Sequence, residues 1–253
     1  MRYLGGKWRI ARRIVNAIVA DVGYRPRHAL ELCSGAGGLT RLLAEACGRV
    51  TAIEAHVGLV RLLRDVQGGF VPPTTVTREE HAASTDPTDP LHAFRRFACS
   101  HGGAWDGYYL PDEPPREYAT HRGGVPFTMH AAAYCHAASG SRALVRDSRA
   151  NVTHVCGDAL TCEIPDDVDV IYADPPYEGT RGYACVVAAE TGAWWRRLSQ
   201  LATTTRVPTY MSEATQPPVD VPARLVLRHV PGQRRMNAGG GERIELLWRL
   251  LPR

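Results

Sequence analysis

His28-Ala-Leu-Glu-Leu-Cys33 runs without a break into Ser34-Gly35-Ala36-Gly37-Gly38, and this join decides the fold. The first six residues have the apolar density of a short buried strand, and the glycines that follow demand a turn. Leu39, Leu42, Leu43 and Ala46 then recur at helical spacing. A second strand is predicted over Arg49-Val-Thr-Ala-Ile53, ending at Glu54, and a second helix over about 57–67. Upstream, Ile10, Ile14, Ile18 and Val22 predict a helix that carries Arg12 and Arg13 between its apolar positions. This β-α-β-α order is the start of a doubly wound, mostly parallel sheet.

Downstream the pattern stops at Gly68-Gly69 and Pro72-Pro73. Residues 71–149 are rich in Pro, Gly, Thr and His, with aromatics gathered in Trp105-Asp-Gly-Tyr-Tyr109, and helical spacing returns only from about Phe127 to Val145. Strand patterns resume at Asn151–Cys156 and Val168–Ala173, followed by a helix near 191–204 and strands near 207–212, 224–229 and 244–250. One α/β domain, built from residues 1–70 and 150–253, is therefore interrupted by an insert over 71–149. A structureless loop of that length is uncommon in a compact domain. Substrate recognition is the role expected of it.

Composition narrows the function classes. No apolar run approaches the roughly 18 residues of a membrane span, so a soluble protein with no membrane partner is expected. Met1–Ile10 has no apolar stretch of signal-peptide length, which argues against secretion. The seven cysteines are an odd number, widely spaced and without a Cys-x-x-Cys, and the ten histidines show no metal-ligand spacing. Free thiols in a reducing, cytoplasmic compartment and no metal site are the expectation. The net charge of +4 is uneven: residues 1–30 carry a net +6, residues 221–253 a net +5, and residues 71–150 a net −1. Basic ends suit a polyanion, although a solvated basic face gives the same sequence. Lys7 is the single lysine among thirty cationic residues. A lone ammonium in an arginine-rich chain marks a place where a compact point charge fits and a planar fork does not.

Two segments carry chemistry. Gly35 and Gly37, between a strand and a helix, allow a ligand close to the backbone, and Glu54 ends the next strand where a carboxylate accepts hydrogen bonds from ribose hydroxyls. Asp174-Pro175-Pro176-Tyr177 follows the strand that ends at Ala173, at the carboxyl edge of the sheet, where open α/β folds bind ligands. The two prolines stiffen the turn and leave carbonyls without competing N–H groups. Asp158, after the third strand, either reaches a cofactor or caps a helix. His101, Trp105, Tyr108 and Tyr109 either shape a ligand-facing loop or form an aromatic mini-core.

With these residues in view, the chain resembles the Dam-like adenine-specific DNA methyltransferases, particularly their phage and prophage members. The similarity lies in Arg2-Tyr-Leu-Gly-Gly-Lys7, Ser34-Gly-Ala-Gly37, Cys99–Tyr108, Ile171–Tyr183, Tyr210-Met-Ser-Glu213 and Glu242–Trp248. It runs nearly end to end and in the family's order, with the insert matching least. The resemblance implies a Rossmann-like S-adenosyl-L-methionine-dependent methyltransferase with a seven-stranded sheet and an inserted target-recognition region. It implies S-adenosyl-L-methionine as cofactor, contacted by Tyr3, Lys7, Glu54 and Asp174, with Gly6, Gly35, Gly37 and Asp158 as the further cofactor-binding candidates. It also implies double-stranded DNA as partner, and leaves open whether a cognate restriction nuclease accompanies it. Tyr3 stands where the family usually has Trp, and Glu54 where it usually has Asp.

The implied catalytic residues are Asp174, Pro175 and Tyr177. The exocyclic nitrogen of adenine is a poor nucleophile because its lone pair is delocalised into the ring. Acceptors on its hydrogens, the Asp174 carboxylate and the Pro175 carbonyl, favour a more tetrahedral nitrogen. Tyr177 would stack on the base, which must leave the duplex to be reached. Amino-group methylation of cytosine or RNA, and a catalytically silent DNA-binding relative, are the alternatives that the same residues leave open.

Overall fold

The computed structural model describes residues 1, 6–83, 85–100, 103, 105, 117–118, 127–176, 191–230 and 244–253. Helix α1 (Ala11–Val22) leads into β1 (His28–Leu32), α2 (Thr40–Ala46), β2 (Arg49–Glu54) and α3 (Val57–Gln67). Then come α4 (Arg78–Ala83), α5 (Pro90–Cys99), the short strands β3 (Glu117–Tyr118) and β4 (Phe127–Thr128), and α6 (Met129–Asp147). The chain continues through β5 (Val152–Cys156), β6 (Val170–Ala173), α7 (Thr191–Thr205), β7 (Thr209–Glu213), β8 (Ala223–His229) and β9 (Glu245–Leu250).

Seven strands form one sheet in the order β5-β2-β1-β6-β7-β9-β8, while β3 and β4 make a separate antiparallel pair. β5, β2, β1, β6 and β7 are mutually parallel, and β9 runs antiparallel to both β7 and β8. The fold is Rossmann-like α/β, with a seven-stranded, mostly parallel sheet that closes on an antiparallel hairpin. β1, β6 and β7 are buried along their whole length, as strands covered on both faces must be.

Alternation along the strands sends side chains to two layers. Ala29, Val50, Ala52, Val170 and Tyr172 pack with Ile14, Ile18, Leu42 and Leu43 of α1 and α2. Leu30, Leu32, Ile53, Ile171 and Met211 pack with Trp194, Trp195 and Leu198 of α7 on the other face. A third core joins α3 to the insert, where Leu59, Leu62 and Val66 meet Phe94, Phe97, Trp105 and Leu144. Gly58 is needed at that contact, because a Cβ there would stand 2.5 Å from the Pro87 carbonyl oxygen.

Residues 71–149 differ from the expectation in holding helices α4 and α5 and the β3–β4 pair before the helix expected from about Phe127. α5 starts on an Asp89 side chain that accepts the Leu91 N–H at 2.9 Å, with Pro90 in the first helical turn. Its buried face includes His92, Ala93 and Ala98 beside Phe94 and Phe97. Ala93, Phe94, Phe97 and Ala98 recur at helical spacing, so the period of α5 is present in the sequence although the Pro- and Thr-rich surroundings read as a loop. Among the described residues no helix is long and apolar enough to cross a membrane.

Candidate active site

Strand order reverses between β1 and β6: β2 and β5 lie on one side of the pair, β7 and β9 on the other. Register pairs Leu32 with Ala173, so the turn after β1 and the turn after β6 leave the sheet side by side. A crevice at such a switch point is where open α/β sheets bind ligands. The Asp174 N–H donates to the Leu32 carbonyl at 3.2 Å and ties the two turns together.

The glycine turn is tightly wound. Cys33 (φ 60°), Gly35 (φ 54°) and Gly37 (φ 76°) all take left-handed backbone conformations, which glycine adopts without steric cost. The Glu54 carboxylate fastens this turn to the end of β2. One oxygen accepts the Gly35 N–H at 2.8 Å and the other accepts the His56 N–H at 3.0 Å. Burial raises its pKa, and those backbone donors oppose the rise. The Ser34 hydroxyl lies in the same turn, buried and with no hydrogen-bond partner among the described residues.

After β6, Asp174 Oδ1 lies 2.6 Å from Lys7 Nζ, which is also 3.6 Å from Glu245 Oε1. Burial pushes the Asp174 carboxyl up to about 6; Lys7 pulls it down, while Glu245 and Glu213 push it further up. Burial likewise opposes the charge on Lys7, but Asp174 and Glu245 outweigh it and raise the ammonium pKa. Glu213 closes β7 and is buried, with its Oε1 accepting the Ala214 N–H at 2.6 Å. Glu31, on β1, is pushed up to about 8 by burial, and the charges on Asp174 and Glu54 add to the effect. Burial also raises the Cys33 thiol, with Glu54, Asp174 and Asp158 contributing from around it.

The structure thus sets Lys7 on Asp174 and Glu245, ties Asp174 and the following Pro175 to the end of β1 through Leu32, and holds Gly35 of the glycine turn on Glu54. Gly6 immediately precedes Lys7 and is exposed. Asp158 caps a turn, accepting the Leu160 N–H at 2.9 Å, while its charge still acts on Cys33. Tyr3 and Tyr177 lie outside the described residues. Trp105 belongs to an aromatic mini-core, with its ring centroid 4.7 Å from that of His56 and 4.9 Å from that of Phe97. Of the other three aromatic candidates, His101, Tyr108 and Tyr109, all fall outside the described residues.

Glu31, Glu213 and Glu245 carry no site role in the sequence reading. Glu31 and Glu213 end or nearly end buried strands, a signal that was available. Glu245 is different, because it begins a strand. Only the antiparallel course of β9, with Glu213 opposite Leu246, carries that strand start to the carboxyl edge.

No family model matches the chain, and no curated protein matches it. Solved structures with a similar course include a dimethyladenosine transferase from Plasmodium falciparum, at 11% identity and a TM-score of 0.44, covering 95% of this chain and 62% of that one. The rRNA methyltransferase aviRa from Streptomyces viridochromogenes is 15% identical with a TM-score of 0.43, covering 98% of this chain and 87% of that one. The putative methyltransferase yhhF from Escherichia coli is 11% identical with a TM-score of 0.39, covering 95% and 86%. The chain therefore spans less than two thirds of the Plasmodium protein's length.

Proposed function

We propose that the chain is an S-adenosyl-L-methionine-dependent methyltransferase that acts on the exocyclic amino group of adenine in double-stranded DNA. The observation that carries this reading is the placement of Asp174-Pro175 at the switch point, with the chain's single lysine on one carboxylate oxygen and the glycine turn alongside. The donor set fits the cofactor. Ser34 offers a buried hydroxyl with no partner among the described residues, Gly35 and Gly37 bring backbone close, and Glu54 places a carboxylate at the end of β2. When bound there, S-adenosyl-L-methionine supplies an electrophilic methyl group on a sulfonium.

The chain's own residues handle the amine. Asp174, ionised above a pKa of about 6, accepts one amine hydrogen through the oxygen that Lys7 does not hold. The Pro175 carbonyl accepts the other. Both keep the nitrogen lone pair off the ring and turned toward the methyl group. Such catalysis is positioning and electrostatics, which a buried, preorganised carboxylate supplies without reorganising at the moment of reaction. Tyr177 supplies the stacking surface for the flipped base in this reading.

The test is methyl transfer from isotopically labelled S-adenosyl-L-methionine to duplex DNA, followed by nucleoside analysis. Labelled N6-methyladenine is the expected product. Label in cytosine, or in RNA alone, would replace the adenine-DNA reading with the alternative amino-group reaction.

A further inference from the structure

Five tryptophans occur in the chain, and four of them are buried: Trp105 is 8% exposed, Trp194 4%, Trp195 1% and Trp248 7%. Trp8 is 65% exposed. Its large apolar surface stays in water at a place where the backbone is hydrogen-bonded. The Lys7 carbonyl accepts the Ile10 N–H at 2.8 Å and the Ala11 N–H at 2.7 Å, which locks the turn into α1. The Lys7 side chain is fixed in turn to Asp174. Trp8 is therefore held one residue from the group that grips the catalytic carboxylate, and its Cβ lies near Gly38 at the end of the glycine turn. The Arg9 guanidinium carbon sits 5.0 Å from the centroid of the indole. Arg9 is itself exposed and makes no ion pair among the described residues.

A mostly exposed ring with a cation over one face, on a basic segment next to buried carboxylates, matches one kind of occupant. Nucleic acid offers a base face for the indole and a phosphate for the guanidinium, and base–aromatic stacking tolerates any sequence because every base has a π-face. We propose that Trp8 and Arg9 form a DNA-docking platform, with Trp8 stacking on a base unstacked next to the reacting nucleotide and Arg9 neutralising its phosphate. This inference rests on the DNA-methylating reading of the site.

The full chain is titrated with a mixed-sequence DNA duplex while tryptophan emission is followed, in the wild type, Trp8→Ala, Trp8→Phe and Arg9→Ala. Because the other tryptophans are buried, the quench should vanish in both Trp8 variants. Binding measured separately by anisotropy of labelled duplex should weaken about fivefold or more in Trp8→Ala and be largely rescued in Trp8→Phe. Arg9→Ala should weaken binding and flatten its salt dependence by about one phosphate contact. Thermal unfolding should be unchanged in Trp8→Ala, since the ring is mostly in solvent.

Equal affinity in Trp8→Ala and wild type would overturn the proposal, even with methyl transfer to DNA intact. So would quenching by RNA alone, or a Trp8-dependent self-association with DNA affinity unaltered. A Trp8-dependent DNA affinity without methyl transfer would support the platform and sink the enzymatic reading. A wild type that binds no DNA would end both.

Discussion

The two edges of the sheet treat charge in opposite ways. At the amino edge, Asp169 pairs with Arg27, Arg49 with Asp167, and Asp21 accepts from Tyr210, Arg224 and Arg249. Positive and negative groups alternate there, and several of the arginines reach well into solvent. At the carboxyl edge, Asp174, Glu213 and Glu245 gather on one ammonium among the described residues, that of Lys7, with the buried carboxyls of Glu31 and Glu54 on the neighbouring strands. A buried excess of one sign opposes folding, whereas screened, matched pairs contribute little in either direction. The amino edge is built to be tolerated, and the carboxyl edge carries a cost that a ligand or a reaction must explain.

Removing the group at the centre of the carboxyl edge should have the largest consequence. Asp174→Ala should lower methyl transfer by at least about 100-fold, because a preorganised acceptor is lost, while circular dichroism and cofactor-independent DNA binding persist. Near-normal turnover with N6-methyladenine as product would show that the edge's acidity is not catalytic.

Lys7 comes next. Lys7→Arg should reduce turnover roughly tenfold, since a planar fork does not fit between Asp174 and Glu245 as a point charge does. A fully active arginine variant would mean that charge alone suffices.

The same pair makes a prediction in pH. With Asp174 at about 6, kcat/KM should fall on the acid side as the carboxylate takes up a proton below that value. Lys7 pulls this pKa down, so in Lys7→Met the acid limb should move to higher pH. A limb that stays in place would separate Lys7 from Asp174 functionally.

Glu31 tests the cost itself. Its folded carboxyl titrates at about 8 against an ordinary 4.5, so the folded state holds a proton that the unfolded state releases between those values. The favourable contribution is complete below 4.5 and declines as pH rises to about 8. Thermal melts of Glu31→Gln across that window should show a weaker loss of stability with rising pH than the wild type. A parallel decline in both would locate the cost elsewhere.

The smallest effect belongs to the amino edge. Arg49 and Asp167 are both 55% exposed in their side chains, so Arg49→Ala should cost less than about 1 kcal/mol and less still at high salt. A loss of several kcal/mol would erase the contrast between the edges.

Much of this was legible in the residues. Helical and strand periods placed α1, α2, α3 and α7 and all seven strands of the main sheet within a few residues. The glycine run announced the turn after β1, and Asp174-Pro175-Pro176 announced the turn after β6. Periodicity and turn chemistry are local, set by side chains a few positions apart, so a sequence determines them directly. The convergence of Lys7, Glu213 and Glu245 on Asp174 was not legible. It depends on strand order and on the reversed course of β9, which follow from packing between segments far apart in the chain. Trp105 was hidden for the same reason, as was the burial of Gly58 and His92 around α5, whose own helical period is local. The buried partners of Trp105 and α5, His56 and the α3 leucines, lie on another segment, and a histidine or glycine becomes a core residue only once that segment is in place.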